Sequence, residues 1–372
     1  MLRPLTIYNS SAMKQFEDLA NLVINPNGSP PIYNCLLYLN DTKRDINYKA
    51  AFGHLDASGG RVDSDCRFRT GSITKTFTAT VILQLMEEGM LDLNDAFLDC
   101  LKNHETKKFF TKLMISDCIN YSHRITIKNL LQHKSGIRDY FADDDRFLKS
   151  IMNFPDQNWD WKKVMGKYFE YDLNEKGVFQ AGKGFYYSDT NYLLLAVLIE
   201  DLTNMSYHEV LEKRILNPLS LNDTYLEFYQ DKKVSTPIIF PFQGAISLKK
   251  VNTSFDWGGG GLISSAKDLD IFIRSLLTGQ LFNKGETLQL MINFDDDPVN
   301  TPSKRGKISY GMGLQYRKIG GYNFIGHNSA YGGMMFFDLD EQFSFVLTIN
   351  QTSAPHKAQW LMKKLVEGFI AL

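Results

Sequence analysis

Ser72 and Lys75 are the two residues of this chain whose types and spacing most clearly suggest chemistry. They lie in the run 69–75 (RTGSITK), directly before an apolar stretch. An S-x-x-K spacing at the start of a helix places a hydroxyl and an amine on one helical face. Serine needs a base before it can attack a carbonyl, and a lysine whose pKa is lowered by burial or by another cation can serve. The pair therefore predicts an activated nucleophile near a helix N-terminus, whose N–H groups favour developing negative charge.

The spacing alone does not identify a site, because it recurs at Ser11–Lys14, Ser247–Lys250 and Ser264–Lys267. The third of these has a structural explanation, since the serines at 264 and 265 with Asp268 form a capping-box pattern that opens a helix over 266–277. The significance of Ser72 depends on two further elements, both located C-terminal to it.

The first of these elements is Tyr187-Ser188-Asp189, just upstream of the apolar run 193–199. The phenol of Tyr187 has a reference pKa of about 10. We expect a neighbouring lysine cation to lower that pKa, so that Tyr187 could relay a proton between the serine and a leaving group. The alternative interpretation is an aromatic cap over the start of a helix.

The second element is the run 326–333 (GHNSAYGG), between two strand-like segments. His327 at a strand edge could donate a hydrogen bond to a substrate carboxylate or ester oxygen. The backbone N–H of Ala330 could complete an oxyanion hole with that of Ser72. The alternative is a histidine in a turn or on the surface.

These three motifs, in this order, resemble the serine β-lactamase and penicillin-binding protein superfamily, and most closely its class C branch of β-lactamases, DD-peptidases, D-aminopeptidases and esterases. The resemblance spans roughly residues 15 to 370. Four further segments are similar to the signatures of that branch: 130–137 (LLQHKSGI), 181–185 (AGKGF), 259–269 (GGGLISSAKDL) and 310–314 (YGMGL).

The resemblance implies an α/β (α+β) fold, with an antiparallel sheet flanked by helices and a mainly helical sub-domain. We expect residues 1–90 and 231–372 to form the sheet-containing sub-domain and 91–230 the helical one, with the active site in the cleft between them. The implied function is a serine hydrolase that forms an acyl-enzyme on an amide or ester, as a D-alanyl peptide carboxypeptidase or amidase or as a carboxylesterase. The alternative is a non-catalytic member that binds peptidoglycan fragments or acts as a scaffold.

Carried over residue by residue, the motifs predict two sets of site residues. The catalytic set is Ser72, Lys75, Tyr187 and His327, and the oxyanion and substrate-binding set is Ser72, Ala330, Asp189, Asn328 and Ser329.

Three positions depart from the usual pattern of the family. Asp189 stands where asparagine is usual, can only accept hydrogen bonds when ionised, and should keep Lys75 protonated. His327 in place of lysine favours the peptidase and esterase members over an efficient β-lactamase. Ser329 in place of glycine should narrow the site.

Composition places further bounds on function. The 372 residues are 44% hydrophobic with a formal net charge of −1, which predicts no nucleic-acid partner. A small-molecule or peptide substrate is what the resemblance to the superfamily implies. No C-x-x-C or H-E-x-x-H motif occurs, so we expect no metal and no cofactor. No long apolar run predicts a membrane span. The N-terminus lacks a signal-peptide pattern, which is compatible with a cytoplasmic protein and equally with a periplasmic or secreted one whose leader has been removed. Oligomeric state is not predicted.

The elements that must position these residues follow from periodicity. The helices expected are 11–24, Ser72 to Gly89 and 354–371, with a helical region over 90–230. The strands expected are 32–38, 48–53, 308–317, 322–327, 333–339 and 343–349. Polar turns predict that the first two strands form one hairpin and the last two another.

Overall fold

The main structural element is a seven-stranded antiparallel sheet. The structure is a computed structural model that describes residues 10–230, 236–294 and 309–370. In the described residues the strands, numbered in chain order, are β1 Asn34–Asp41, β2 Ile46–Gly53, β3 Arg67–Arg69, β4 Ile115–Ser116, β5 Ile119–Asn120, β6 Tyr225–Leu226, β7 Ile238–Ile239, β8 Phe242–Gln243, β9 Ile246–Ser247, β10 Leu262–Ser265, β11 Ser309–Tyr310, β12 Gln315–Ile319, β13 Tyr322–Asn328, β14 Gly333–Asp338 and β15 Phe343–Ile349. The sheet order is β11-β12-β13-β14-β15-β1-β2, which confirms the predicted antiparallel α/β class.

Helices cover both faces of this sheet. The helices of the described chain are α1 Ser10–Val23, α2 Thr74–Glu87, α3 Phe97–Cys100, α4 His104–Phe109, α5 Ile127–Leu131, α6 Asp145–Asn153, α7 Trp161–Glu170, α8 Asp189–Thr203, α9 Tyr207–Leu211, α10 Trp257–Gly260, α11 Ala266–Leu277, α12 Gly285–Met291 and α13 Pro355–Ile370. Helices α1 and α13 pack together over one face, and α11 packs on the other.

The central strands are apolar on both faces because each face is covered. Successive side chains of a strand point to opposite faces, so Leu37 and Leu39 of β1 join the core under α1 and α13. Leu36 and Tyr38 join the larger core on the other side. The predicted hairpins β1–β2 and β14–β15 and the N- and C-terminal helices are confirmed.

The prediction of a single strand over 308–317 is wrong for the residues that the structure describes, and residue 308 lies outside them. Strands β11 and β12 pair with each other as a hairpin. The Gly311 N–H donates to the Leu314 carbonyl at 2.9 Å, and Gly313 has a φ of +73°. A left-handed residue closes a tight turn, and the two glycines at 311 and 313 reverse the chain there.

A smaller four-stranded sheet, in the order β6-β10-β3-β7, leads into the candidate site. Strand β3 pairs with β10, and the Thr70 N–H donates to the Leu262 carbonyl at 2.9 Å. The chain then forms a short 3-10 turn, Gly71–Ile73, that runs directly into α2. The pairing of β3 with β10 therefore fixes the position of the helical turn that contains Ser72.

Residues 91–230 contain helices α3 to α9, in agreement with the helical region predicted there. The division into two sub-domains remains a prediction. No helix of the described ranges combines the length and the apolar character needed to cross a bilayer.

Candidate active site

The turn that carries Ser72 packs closely against the Ser329 side chain at the preceding glycine. Gly71 has a φ of +52°, a conformation that glycine adopts without steric cost. A Cβ atom there would lie 2.4 Å from the Ser329 Oγ. Gly71 therefore lets the loop after β13 pack against the turn that carries the nucleophile, and any larger residue would push the two apart.

The Lys75 ammonium lies at the centre of the site with all three of its donors engaged. Its Nζ is 3.1 Å from the Ser72 Oγ, 2.7 Å from the Gly259 carbonyl and 2.5 Å from the Asp189 Oδ1. Its side chain is completely buried. Because an ammonium has three N–H donors and no acceptor, these partners satisfy a protonated lysine.

The protonation of Lys75 is controlled by Asp189. Burial favours the neutral amine, but the negative charge of Asp189, assisted by Tyr187, outweighs it and raises the pKa of Lys75 above its ordinary value. The predicted pairing of Asp189 with Lys75 is therefore confirmed. The resting site holds a charged lysine that donates a hydrogen bond to Ser72.

Tyr187 stands just before α8 and faces the same cluster. Its ring stacks on His133 at a centroid distance of 4.2 Å, and the Lys75 Nζ lies 5.1 Å from the ring centroid. Burial raises the pKa of Tyr187, although the Lys75 charge and hydrogen bonds with Ser72 and Lys75 act in the opposite direction. The prediction of a lowered pKa is wrong because burial outweighs the cation, and Tyr187 is a protonated phenol.

Behind Tyr187 runs a chain of hydrogen bonds whose direction is fixed by backbone groups at both ends. The Ser188 N–H donates to the His133 Nδ1 at 3.2 Å, so the proton of this neutral imidazole is on Nε2, 3.3 Å from the Tyr310 hydroxyl. Tyr310 then donates to the His327 Nε2 at 3.1 Å, and the His327 Nδ1 donates to the Asn328 carbonyl at 2.7 Å. Each ring nitrogen thereby has one defined role.

His327 takes part in this chain of hydrogen bonds and does not border the cavity. Its side chain is only 1% exposed, and burial, with the nearby Lys75 charge, lowers its pKa to about 3. The predicted hydrogen bond from His327 to a substrate carboxylate or ester oxygen does not fit an enclosed, neutral imidazole whose one N–H already donates to the Asn328 carbonyl. The histidine instead supports Tyr310, which in turn contacts the ring that stacks on Tyr187.

The other residues predicted around His327 have different positions. The Asn328 Oδ1 accepts from Arg317 at 3.2 Å, and the Ser329 Oγ accepts from the Tyr331 N–H at 3.0 Å. Neither side chain borders the cavity, whereas Ala330 does. An oxyanion hole formed by the N–H groups of Ser72 and Ala330 remains a prediction, with both residues on the cavity wall.

The cavity has a volume of about 410 Å³ and opens beside Ser72. Tyr187, Asp189, Gly259 and Ala330 border it together with the nucleophile. Aromatic and aliphatic side chains form another part of its wall, namely Phe141, Leu148, Tyr186 and Tyr331. A pocket of this size with a nucleophile and an apolar wall suits a small substrate with an apolar side chain.

Sequence reasoning missed four acidic residues of this wall, namely Asp139, Asp144, Asp145 and Asp256, and the roles of two aromatic residues behind it. No motif marks any of the four acidic residues. His133 and Tyr310 lie inside segments that resemble family signatures, and their place in those segments is the only signal in the sequence. The hydrogen bond between them spans 177 positions of the chain, which no local pattern reveals.

The sheet, its flanking helices and the cluster of Ser72, Lys75 and Tyr187 define the serine beta-lactamase and transpeptidase fold. The chain belongs to the beta-lactamase family, whose model, described as Beta-lactamase, matches residues 42–366. Among curated proteins, it is 30% identical over 185 residues to penicillin-binding protein 4* of Bacillus subtilis (strain 168). That alignment covers 48% of this chain and 35% of the relative, so the chain matches only about a third of the relative's length.

Two solved structures share the fold over nearly their whole length. A D-stereospecific amidohydrolase from Streptomyces sp. has a TM-score of 0.75 at 24% identity, covering 94% of this chain and 97% of the other. A D-amino acid amidase from Ochrobactrum anthropi SV3, complexed with L-phenylalanine amide, has a TM-score of 0.77 at 19% identity, covering 97% and 99%. Similarity at these identities establishes a common fold.

Replacing Tyr310 by phenylalanine should slow acylation of Ser72 by a fluorophosphonate about tenfold, because two imidazoles lose their shared partner and Tyr187 loses its support. The free energy of unfolding should fall by about 1–3 kcal/mol. Pre-steady-state labelling rates and denaturant titration measure the two effects. Tyr316→Phe is the matched control, since it removes a phenol hydroxyl that bonds to Asn323 at 2.7 Å. Equal labelling rates for the two variants would contradict the role given to Tyr310.

Proposed function

We propose that this protein is a serine hydrolase that cleaves an amide or ester bond through an acyl-enzyme on Ser72. The observation that carries the proposal is the buried Lys75 Nζ, 3.1 Å from the Ser72 Oγ, beside an open cavity. A nucleophile in hydrogen-bond contact with a proton-accepting group that a third group orients is the arrangement that activates serine. Here Asp189 is the third group.

In the proposed first step, the Ser72 oxygen bonds to the substrate carbonyl carbon and its proton passes to Lys75. A charged lysine must release a proton as it accepts one, and Asp189, 2.5 Å from the Nζ, is placed to take it. The N–H groups of Ser72 and Ala330 would hold the oxyanion. When the tetrahedral intermediate collapses, the protonated Tyr187 or Lys75 gives a proton to the leaving amine or alkoxide.

In the second step, a water molecule attacks the acyl carbon. One proton of the water passes through Lys75 and Asp189 and returns to Ser72, which restores the free hydroxyl. The products are the acid and the regenerated enzyme. Every proton in this scheme moves between groups in one cluster, in which the ion pair with Asp189 keeps the buried lysine charged.

Amides of amino acids and short peptides are the substrates we favour, with D-alanyl peptides and carboxylic esters as members of the same class. The named activities of the two structural neighbours, D-stereospecific amidohydrolase and D-amino acid amidase, support an amide. Among the residues described, no cation borders the cavity, and His327 is neutral. A cavity without a cation is a poor receptor for the carboxylate of a β-lactam or of a D-alanyl-D-alanine terminus.

A non-catalytic binding or scaffold role is the second candidate, and one observation favours it. The Lys75 ammonium is fully occupied by Ser72, Gly259 and Asp189, so the resting site holds no free base of ordinary strength. In that case the cavity would hold a peptidoglycan fragment or another ligand without acylation.

Intact-mass spectrometry after treatment with a fluorophosphonate and with penicillin separates the two candidates. A single adduct on Ser72 is the expected result, with hydrolysis of D-amino acid amides faster than that of nitrocefin. Parallel assays on D-alanyl dipeptides and p-nitrophenyl esters rank the substrate classes. Absence of any adduct and of any turnover would leave the binding role, and rapid nitrocefin hydrolysis would overturn the preference for amides.

A further inference from the structure

The ionisable residues that border the cavity are all acidic or phenolic. The carboxylic acids are Asp139, Asp144, Asp145, Asp189 and Asp256. In the part of the chain that the structure describes, no lysine, arginine or histidine borders the cavity. The cavity therefore combines a nucleophile with a wall rich in carboxyl groups, although the whole chain has a formal net charge of only −1.

The five carboxylates differ in how far they are already neutralised. Asp144 pairs with Arg146 at 2.6 Å, and Asp145 pairs with Lys149 at 2.5 Å. Asp189 forms an ion pair with Lys75. No salt bridge within the described ranges involves Asp139 or Asp256, which are the inner carboxyls that remain.

Asp139 and Asp256 are held in place by neutral hydrogen-bond donors. Asp139 is 3% exposed and accepts from the N–H groups of Phe141 at 2.8 Å and Asp189 at 3.2 Å. Asp256 accepts from the Tyr331 hydroxyl at 2.5 Å. Burial, followed by the repulsion of Asp189, raises the pKa of Asp139 to about 7. Burial raises that of Asp256 to about 7 as well, with Asp189 again adding to the shift. Asp139 and Asp256 are fixed in position, and the nearby Asp189 makes both harder to ionise. A cation in the cavity would stabilise their ionised forms.

We infer that the cavity takes an amide or ester whose acyl part carries a free ammonium group, with Asp139 and Asp256 selecting that group. An ammonium has three N–H donors and no acceptor, so it complements a wall of carboxylate acceptors. A substrate carboxylate, or an acylated amine, would leave these carboxyls uncompensated. The apolar part of the wall, including Phe141 and Leu148, would receive the side chain of such a substrate.

This inference rests on the proposed function for the identity of the bond that is cleaved, but ligand selection is measurable without chemistry. The probe pair is phenylalanine amide, in both enantiomers, and N-acetylphenylalanine amide, which differ at the amine alone. Isothermal titration calorimetry on the Ser72→Ala protein at pH 7 reports binding with no turnover. Fluorophosphonate labelling of the wild type tests the proposed function separately.

The free amine should bind about 10- to 100-fold more tightly than its acetylated partner. In the Ser72→Ala background, Asp256→Asn should weaken the free amine about tenfold and leave the acetylated ligand unchanged. Asp139→Asn should act in the same way, so a failure of one variant to fold leaves the other. Asp99→Asn is the control of equal charge change, because Asp99 forms an exposed ion pair with Lys107 at 3.3 Å.

The dependence of binding on pH has a defined sign. Both inner carboxyls ionise as pH rises through about 7, which strengthens binding of a cation. The ligand amine loses its proton near a pKa of about 8, so affinity should be greatest between about 7 and 8 and fall on both sides. The charged and titratable groups that face the two carboxyls are Asp143, Asp189, Tyr140 and Tyr186 around Asp139, and Tyr331, Asp189, Lys75, Arg69 and Tyr140 around Asp256.

Three outcomes would overturn the inference. Tighter or equal binding of the acetylated ligand would do so, as would the absence of measurable binding by the free amine at millimolar concentration. A loss of affinity in Asp99→Asn as large as in Asp256→Asn would show a general charge effect instead of a local one.

Discussion

Replacing Ser72 by alanine should lower turnover of amides and esters by about 10⁴–10⁶-fold and abolish the fluorophosphonate adduct, because the variant loses the atom that forms the acyl bond. No other serine, threonine or cysteine of the described chain borders the cavity, so no neighbour can substitute. The fold should be retained, since α2 continues to pack through its buried residues. Steady-state kinetics and intact-mass spectrometry on the purified variant measure the effect.

The matched control is Ser247→Ala, which alters an equally spaced serine and lysine pair. The Ser247 Oγ accepts a hydrogen bond from the Lys249 N–H at 3.3 Å, and this serine does not border the cavity. This variant should turn over substrate at the wild-type rate. Wild-type turnover by Ser72→Ala, or an adduct that persists on another residue, would show that the nucleophile has been misassigned.

Much of the fold could be predicted because local periodicity and global packing agree. In β1, both faces are apolar because α1 and α13 cover one and α11 the other. The hairpin β14–β15 is evident from two apolar runs around a polar turn. The single strand predicted over 308–317 is wrong because β propensity outweighed a turn signal carried by two glycines, at 311 and 313.

The resemblance to the superfamily predicted that Tyr187, Asp189 and Ala330 join Ser72, and all four border one cavity, but interatomic contacts were predictable from spacing only within one motif. Ser72 and Lys75 are one helical turn apart, so spacing alone brings them together, and the structure has their atoms in contact. The pKa of Tyr187 depends instead on burial by distant segments, which no local pattern reveals. Asp139 and Asp256 reach the cavity from segments that are far apart in the chain.

The second large effect concerns Lys75. Lys75→Met should slow acylation of Ser72 by about 10²–10⁴-fold, because the group that accepts the serine proton is removed. The variant also leaves Asp189 without its cation, and the loss of one member of a buried ion pair should lower the free energy of unfolding by about 3 kcal/mol. A single substitution therefore confounds catalysis with stability.

The double variant Lys75→Met/Asp189→Asn separates the two effects, because it removes both charges. It should recover most of the unfolding free energy while acylation stays slow, since the proton acceptor is still absent. Asp189→Asn alone keeps the lysine and removes the carboxylate that raises its pKa. With that charge gone, the neutral amine becomes more populated at a given pH, so labelling by an uncharged fluorophosphonate should persist and its pH profile should move to lower pH. If the double variant regained rapid acylation, Lys75 would act on stability alone, and Tyr187 would have to be the group that takes the proton from Ser72.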